Sequence, residues 1–179
     1  MASHASPFAK ALDRGESEPA LGELAQLRSA SNQRLSDLLP VETKQPASLH
    51  KAMRYSLLGP GKRVRPIMSC FVCEALGHDP FAFALDAGCA VEMVHTASLI
   101  LDDLPCMDDA GQRRGRTTTH IAFGEATAIL ASIGLMNRAY EVLAQNSHAD
   151  DVTKTLSQQI LAASIGSDGL VAGQEIDLH

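Results

Sequence analysis

No stretch of the 179-residue sequence alternates apolar and polar residues convincingly at period two, so nothing argues for a β-sheet core. The opening Met1-Ala2-Ser3-His4-Ala5-Ser6 has no basic segment followed by an apolar run, and no secretory leader is expected. The uncharged apolar stretch from Ala126 to Asn137 is too short to span a bilayer. Positive charge is not in excess. Lys and Arg number 15 against 21 Asp and Glu, for a net charge of −6, which removes a general electrostatic case for nucleic acid binding. The four cysteines, Cys70, Cys73, Cys89 and Cys106, lack a secreted-framework spacing. Cys70 and Cys73 form a CxxC, but no second pair and no His pair completes a zinc site. Buried core thiols are the expected reading, with metal or redox work as the alternative. A cytoplasmic, reducing location follows as the default expectation.

What is present is helical periodicity. Hydrophobic residues make up 45%, an ordinary globular value. Residues 1–19, rich in Ala, Ser, Gly, Pro and charge, read as a loosely ordered tail, and residues 20–179 read as part of one domain. Leu21, Leu24, Leu27, Leu35, Leu38 and Leu39 recur at helix spacing until Pro40. Leu49, Met53, Leu57 and Leu58 form a second amphipathic stretch, ended by Gly59-Pro60-Gly61. A third helix is expected from Arg65-Pro66 to Gly77, and a fourth from Asp79-Pro80. The later part of the fourth, Ala87 to Leu101, is apolar on almost every side, which marks a helix buried inside a bundle. Thr117 to Gln145 reads as one long helix, or two joined near Gly134, and Asp151 to Ile165 as another. The fold expected is all-α, a multi-helix bundle around one central buried helix. The last segment, from Leu170 to His179, begins an element and stops without a cap, so a continuing natural chain is expected.

The chemistry concentrates at the end of that buried helix. Asp102, Asp103, Asp108 and Asp109 sit within eight positions, and Arg113-Arg114 follow. Carboxylates this crowded raise one another's pKa unless a cation lies between them. Hard oxygen ligands suit Mg²⁺, which takes one or two carboxylates and leaves its other positions to water and phosphates. An arginine pair suits the phosphate. On an ideal helix Asp102 and Asp108 lie about 240° apart, so they do not share a face. Pro105 between them ends or bulges the helix and can bring Asp108 back towards Asp102. Taken alone, the run is equally a solvated acidic loop.

A second cationic group is Gly61-Lys62-Arg63-Val64-Arg65-Pro66, three cations in four positions after a Gly-rich turn. It could hold another diphosphate near a helix start, or be an exposed basic turn. His95 lies seven residues before Asp102, about two turns, and so on roughly the same side. It is a satisfied core histidine or a donor to a phosphate in the same cavity. Two anion sites around the mouth of an apolar helix fit a substrate with a diphosphate head and a hydrocarbon tail.

Val91-Glu92-Met93-Val94-His95-Thr96 through Asp109, with Arg113-Arg114-Gly115, resembles the first aspartate-rich region of trans-type isoprenyl diphosphate synthases. Gly61 to Pro66 resembles the upstream basic motif of that family, and Phe123-Gly124-Glu125, Gly173-Gln174 and Asp177 also match. The wording is closest to bacterial geranylgeranyl diphosphate synthases of the carotenoid type, and the resemblance runs from about residue 20 to 179.

The resemblance implies an isoprenoid-synthase bundle around an apolar cavity, roughly two or three Mg²⁺ per complete site, and a homodimer. It implies Asp102 and Asp108 as metal ligands, with Asp103 as a possible additional one. Arg113 would hold the allylic diphosphate (dimethylallyl, geranyl or farnesyl), and these four residues would carry catalysis. Lys62, Arg63, Arg65, His95 and Arg114 would bind isopentenyl diphosphate. Met93, Ala97 and Ser98 would set product length, and the small Ala97 and Ser98 predict a C20 product. The family's second aspartate-rich cluster and a further lysine do not occur in these residues, so the chain as isolated is expected to be inactive. The competing expectations are a farnesyl or longer-chain synthase, a non-catalytic partner subunit of a heteromeric synthase, and a class I terpene cyclase. A cyclase would not need Lys62, Arg65 and His95.

Overall fold

The computed structural model describes residues 17–179, with side chains from residue 21 onward. Most of the tail expected over 1–19 lies outside the described residues, and helix is already formed at Ser17. The helices are α1 (Ser17–Leu38), α2 (Ala47–Leu57), α3 (Val64–Ala75), α4 (Ala84–Asp102), α5 (Thr119–Phe123), α6 (Glu125–Gln145), α7 (Asp151–Ile165) and α8 (Leu170–Asp177). A two-residue-per-strand antiparallel hairpin, β1 (Gln112–Arg113) with β2 (Arg116–Thr117), lies between α4 and α5. The sequence periodicity did not forecast it, because strands this short have no alternation to read.

α4 is the central helix, packed chiefly on α6 and α3 and also on α1 and α2. Its small residues allow close approach. A Cβ on Gly88 would stand 2.5 Å from the Pro66 Cα, so α3 and α4 touch backbone to backbone there. On the α6 side, Ser132 Oγ donates to the Ala97 carbonyl at 2.9 Å, satisfying a hydroxyl that is fully buried. By length and composition α4 could cross a membrane, yet 67% of that window is buried within the chain, as a core helix requires.

Long polar side chains tie the ends of the bundle. Arg34 of α1 grips Asp86 of α4 with two bonds, 2.6 and 2.8 Å, and Asn146 donates to the same carboxylate at 3.0 Å. The last turn of α1 has no basic residue of its own. Arg54 of α2 donates to the Ser36 carbonyl at 2.9 Å, and Arg138 of α6 to the Leu38 carbonyl at 2.6 Å. Both cations sit on carbonyls that a helix end leaves unpaired.

Two boundaries differ from the sequence reading. The Asp79-Pro80 segment is a turn, with the Asp79 carboxylate accepting from the Phe81 amide, and α4 begins at Ala84. The break near Gly134 is absent. α6 runs through Gly134, which packs against the Met53 side chain, and the chain breaks at Gly124, whose φ of 85° suits glycine. Cys70 and Cys89 are buried core thiols, Cys73 is partly exposed and Cys106 is exposed. Burial pushes Cys70 up to about 11 and raises Cys89 as well.

Candidate active site

α4 ends at Asp102, and the chain then folds back on itself. The Asp108 amide donates to the Asp102 carbonyl at 2.8 Å, and the Ala110 amide to the Asp103 carbonyl at 3.2 Å. The exposed Pro105 lies at the turn. The convergence inferred from Pro105 is therefore what the backbone adopts. Asp102 is half-buried and its pKa is raised, first by burial, then by the Asp108 charge; Arg113 opposes this, and Asp103 and Asp177 add to it. Asp177, on α8, thus reaches Asp102 electrostatically.

Asp103 points the other way. It is 3% exposed, and Arg113 Nε donates to it at 2.6 Å while a second Arg113 nitrogen stands 3.8 Å from Asp108. One Asp103 oxygen thus aligns Arg113, so its carboxylate is shared between that bond and the metal-ligand role expected for it. Among the described residues no group of three His, Cys, Asp or Glu side chains could hold a metal ion. Two carboxylates that repel one another, with other positions left to phosphate and water, are nevertheless a donor set Mg²⁺ accepts.

The hairpin delivers the arginine pair. Its turn residues, Arg114 and Gly115, have φ of 53° and 75°, as a two-residue primed turn requires. Glycine takes that backbone freely; Arg114 does so at a conformational cost. Arg114 donates to the Pro60 carbonyl at 3.2 Å and lies 3.4 Å from His95 Nε2. The other non-glycine residues with positive φ among those described are Arg63 and Asp109. Sequence reasoning left out the clamp behind the hairpin. Tyr55 donates to the Thr117 carbonyl at 2.8 Å, Arg116 stacks 3.9 Å from the Tyr55 ring centre, and Phe123 meets that ring edge-on. Thr118 Oγ1 donates to the Ala110 carbonyl at 2.8 Å. The RRGR run was the available signal for Arg116; nothing local marked Tyr55.

His95 is half-buried, and burial lowers its pKa, with Arg65, Arg114 and Arg113 lowering it further and Glu92 opposing. Arg114 stands 3.4 Å from Nε2, and burial with the arginine charges favours the neutral imidazole. Lys62 and Arg65 are exposed, and the Arg65 charge is close enough to lower the His95 pKa. Arg63 is buried. It is 4% exposed, with its guanidinium turned inward to Asn32, Gly59 and Glu92, unlike the other cations expected to bind substrate. A small cavity of about 60 Å³ opens between the hairpin, the Gly59-Pro60 turn, Thr96 and Leu99 of α4 and Asp103 just beyond its end.

Of the residues expected to set product length, Met93 and Ala97 have no exposed surface and lie in the core. Ser98 is partly exposed, on the stripe Val91, His95, Ser98 and Asp102. These positions, four, three and four residues apart, keep to one helix face.

Comparison with known proteins places this geometry. Residues 46–179 match the polyprenyl synthetase family. The chain is 49% identical over 138 residues to geranylgeranyl pyrophosphate synthase 7, chloroplastic, of Arabidopsis thaliana, covering 77% of this chain and 40% of that protein. It is 46% identical over 157 residues to the geranylgeranyl diphosphate synthase of Pantoea ananas, covering 86% and 51%. The crystal structure of an FPP/GFPP synthase from Zymomonas mobilis superposes with a TM-score of 0.80 at 39% identity, covering 88% of this chain and 56% of that one. The chain thus spans about 40–50% of the length of these two curated relatives. With its helix-end carboxylates, arginine hairpin and basic turn in place, the chain belongs to the polyprenyl synthetase family.

Proposed function

We propose that this chain carries the first metal-and-diphosphate half-site of a prenyltransferase. The complete reaction joins isopentenyl diphosphate head-to-tail to an allylic diphosphate, with geranylgeranyl diphosphate as product. The supporting observation is the fold-back that sets Asp108 beside Asp102 with Arg113 reaching across from Asp103. Bound Mg²⁺ would neutralise charge on the leaving diphosphate. Asp102 and Asp108 are the residues that would hold it. Arg113, aligned by Asp103, donates to the allylic diphosphate where negative charge grows as the C–O bond breaks.

Lys62, Arg65 and Arg114 form the second anion site. Neutral His95 can present an N–H there without adding charge. The isopentenyl double bond attacks the allylic cation, and the proton lost goes to the departing diphosphate. The protein's part is orientation, charge stabilisation and exclusion of water that would quench the cation.

The small Ser98 on the partly open stripe supports a long product. A different chain length is the second reading, favoured by the Zymomonas relative being named an FPP/GFPP synthase. Titration of the 179-residue chain with Mg²⁺ and inorganic diphosphate tests the half-site. Weak calorimetric binding, lost in Asp102→Asn, is expected; equal binding by that variant would remove the proposal. Prenyl transfer by the chain alone is expected to be undetectable, because the family's opposing aspartate cluster does not occur in it.

A further inference from the structure

Arg63 and Glu92 form an ion pair at 3.3 Å, with 4% and 3% of their side chains exposed. Such a pair gains little net stability over apolar residues of the same volume. This one is also imperfect, since Glu92 Oε2 has no hydrogen-bond partner. What Arg63 does with its other nitrogens explains its place. Nη2 donates to the Gly59 carbonyl at 2.7 Å, and Nε to Asn32 at 2.7 Å.

The guanidinium therefore lies beneath the Gly59-Pro60-Gly61 turn. Arg114 binds the same turn at the Pro60 carbonyl, and Arg116 packs over Gly59. A Cβ on Gly61 would stand 2.7 Å from Arg63 Nη1 and 3.0 Å from Arg114 Nη1, so the turn is held between two guanidiniums. Arg63 itself is held at a φ of 55°.

We infer that Glu92 and Arg63 are positioning residues: through the Gly59-Pro60-Gly61 turn they set Lys62 and Arg65 on one side and the Arg114 hairpin on the other, coupling the two anion sites. The inference rests on the proposed diphosphate chemistry for its purpose, but the coupling is a property of the fold. The conflicting possibility is that Arg63 turns outward and binds diphosphate itself. Removing the Glu92 charge separates the two. It would free Arg63 and tighten binding if Arg63 were a direct ligand. It loosens the turn and weakens binding if Arg63 acts through the turn.

The test uses Glu92→Gln, close in shape to glutamate, and Arg63→Lys, which keeps charge but cannot reach three partners. Amide hydrogen exchange by mass spectrometry, without ligand, reads the coupling. Both variants are expected to raise exchange in peptides spanning 59–62 and 112–117 while α6 peptides stay unchanged. No change there in either variant overturns the inference, whatever the ligand results. In a diphosphate–Mg²⁺ titration Glu92→Gln is expected to weaken affinity about tenfold. Tighter binding overturns it in favour of a direct Arg63 contact. Wild-type chain that binds no diphosphate counts against the proposed function, and the exchange comparison still decides the coupling.

Discussion

Two aspartates on one helix have opposite fates. Asp86 lies in the first turn of α4, where the helix dipole favours a negative charge, and three hydrogen bonds from Arg34 and Asn146 satisfy it. Asp102 ends the same helix, where the dipole disfavours negative charge. It faces Asp108, and only Arg113 opposes the desolvation and repulsion that raise its pKa. One end uses its carboxylate to join α1 and α6 to the core. The other keeps a carboxylate short of cations. Natural chains keep such strained groups where a ligand supplies the missing charge.

Asp86→Ala leaves Arg34 and Asn146 without their shared acceptor. Because Arg34 is partly solvated, a loss of about 2 kcal/mol is expected, read as a lowered midpoint in thermal or urea unfolding. An unchanged midpoint would mean that the Asp86 end is not the structural one. Arg114→Gly should act in the opposite direction, stabilising by about 0.5–1 kcal/mol as the positive φ is relieved, while diphosphate binding weakens. A destabilised glycine variant would show that the Arg114 contact to Pro60 outweighs the conformational cost of its positive φ.

Asp102→Asn should stabilise the fold by about 0.5 kcal/mol at neutral pH, a small gain because solvent screens the site. A raised carboxylate pKa means that the folded chain holds its proton more tightly than the unfolded chain. Its contribution to stability is complete below the ordinary carboxylate pKa and fades as pH rises through the raised one. Unfolding midpoints of wild type and Asp102→Asn across acidic to neutral pH should therefore diverge, with wild type losing ground as pH rises. A constant difference would show that Asp102 is not perturbed.

The helical character, the central position of α4 and the turn at Pro105 were legible because each rests on local signals: periodicity, an all-round apolar stretch and a residue that stops a helix. The short hairpin was not, since it depends on the clamp of Tyr55, Arg116 and Phe123 from separate segments. At the site, the cations and carboxylates could be named from the sequence but not sorted. Nothing in Lys62-Arg63-Val64-Arg65 says that the middle arginine turns inward. Glu92 was the missed signal, because a lone carboxylate in an apolar helix demands a buried partner.

The sequence by itself determined that this chain is helical, where its charged mouth lies and which ligand chemistry that mouth suits. Residue type and spacing along one segment carry that information. Only the tertiary structure decided which charged groups turn inward and which stay at the surface. Arg63 with Glu92 and Arg113 with Asp103 are pairings across distinct segments, and burial, through the cost of leaving a charge unpaired, selects them. The same packing separates Ser98, on the partly open stripe, from Met93 and Ala97 in the core.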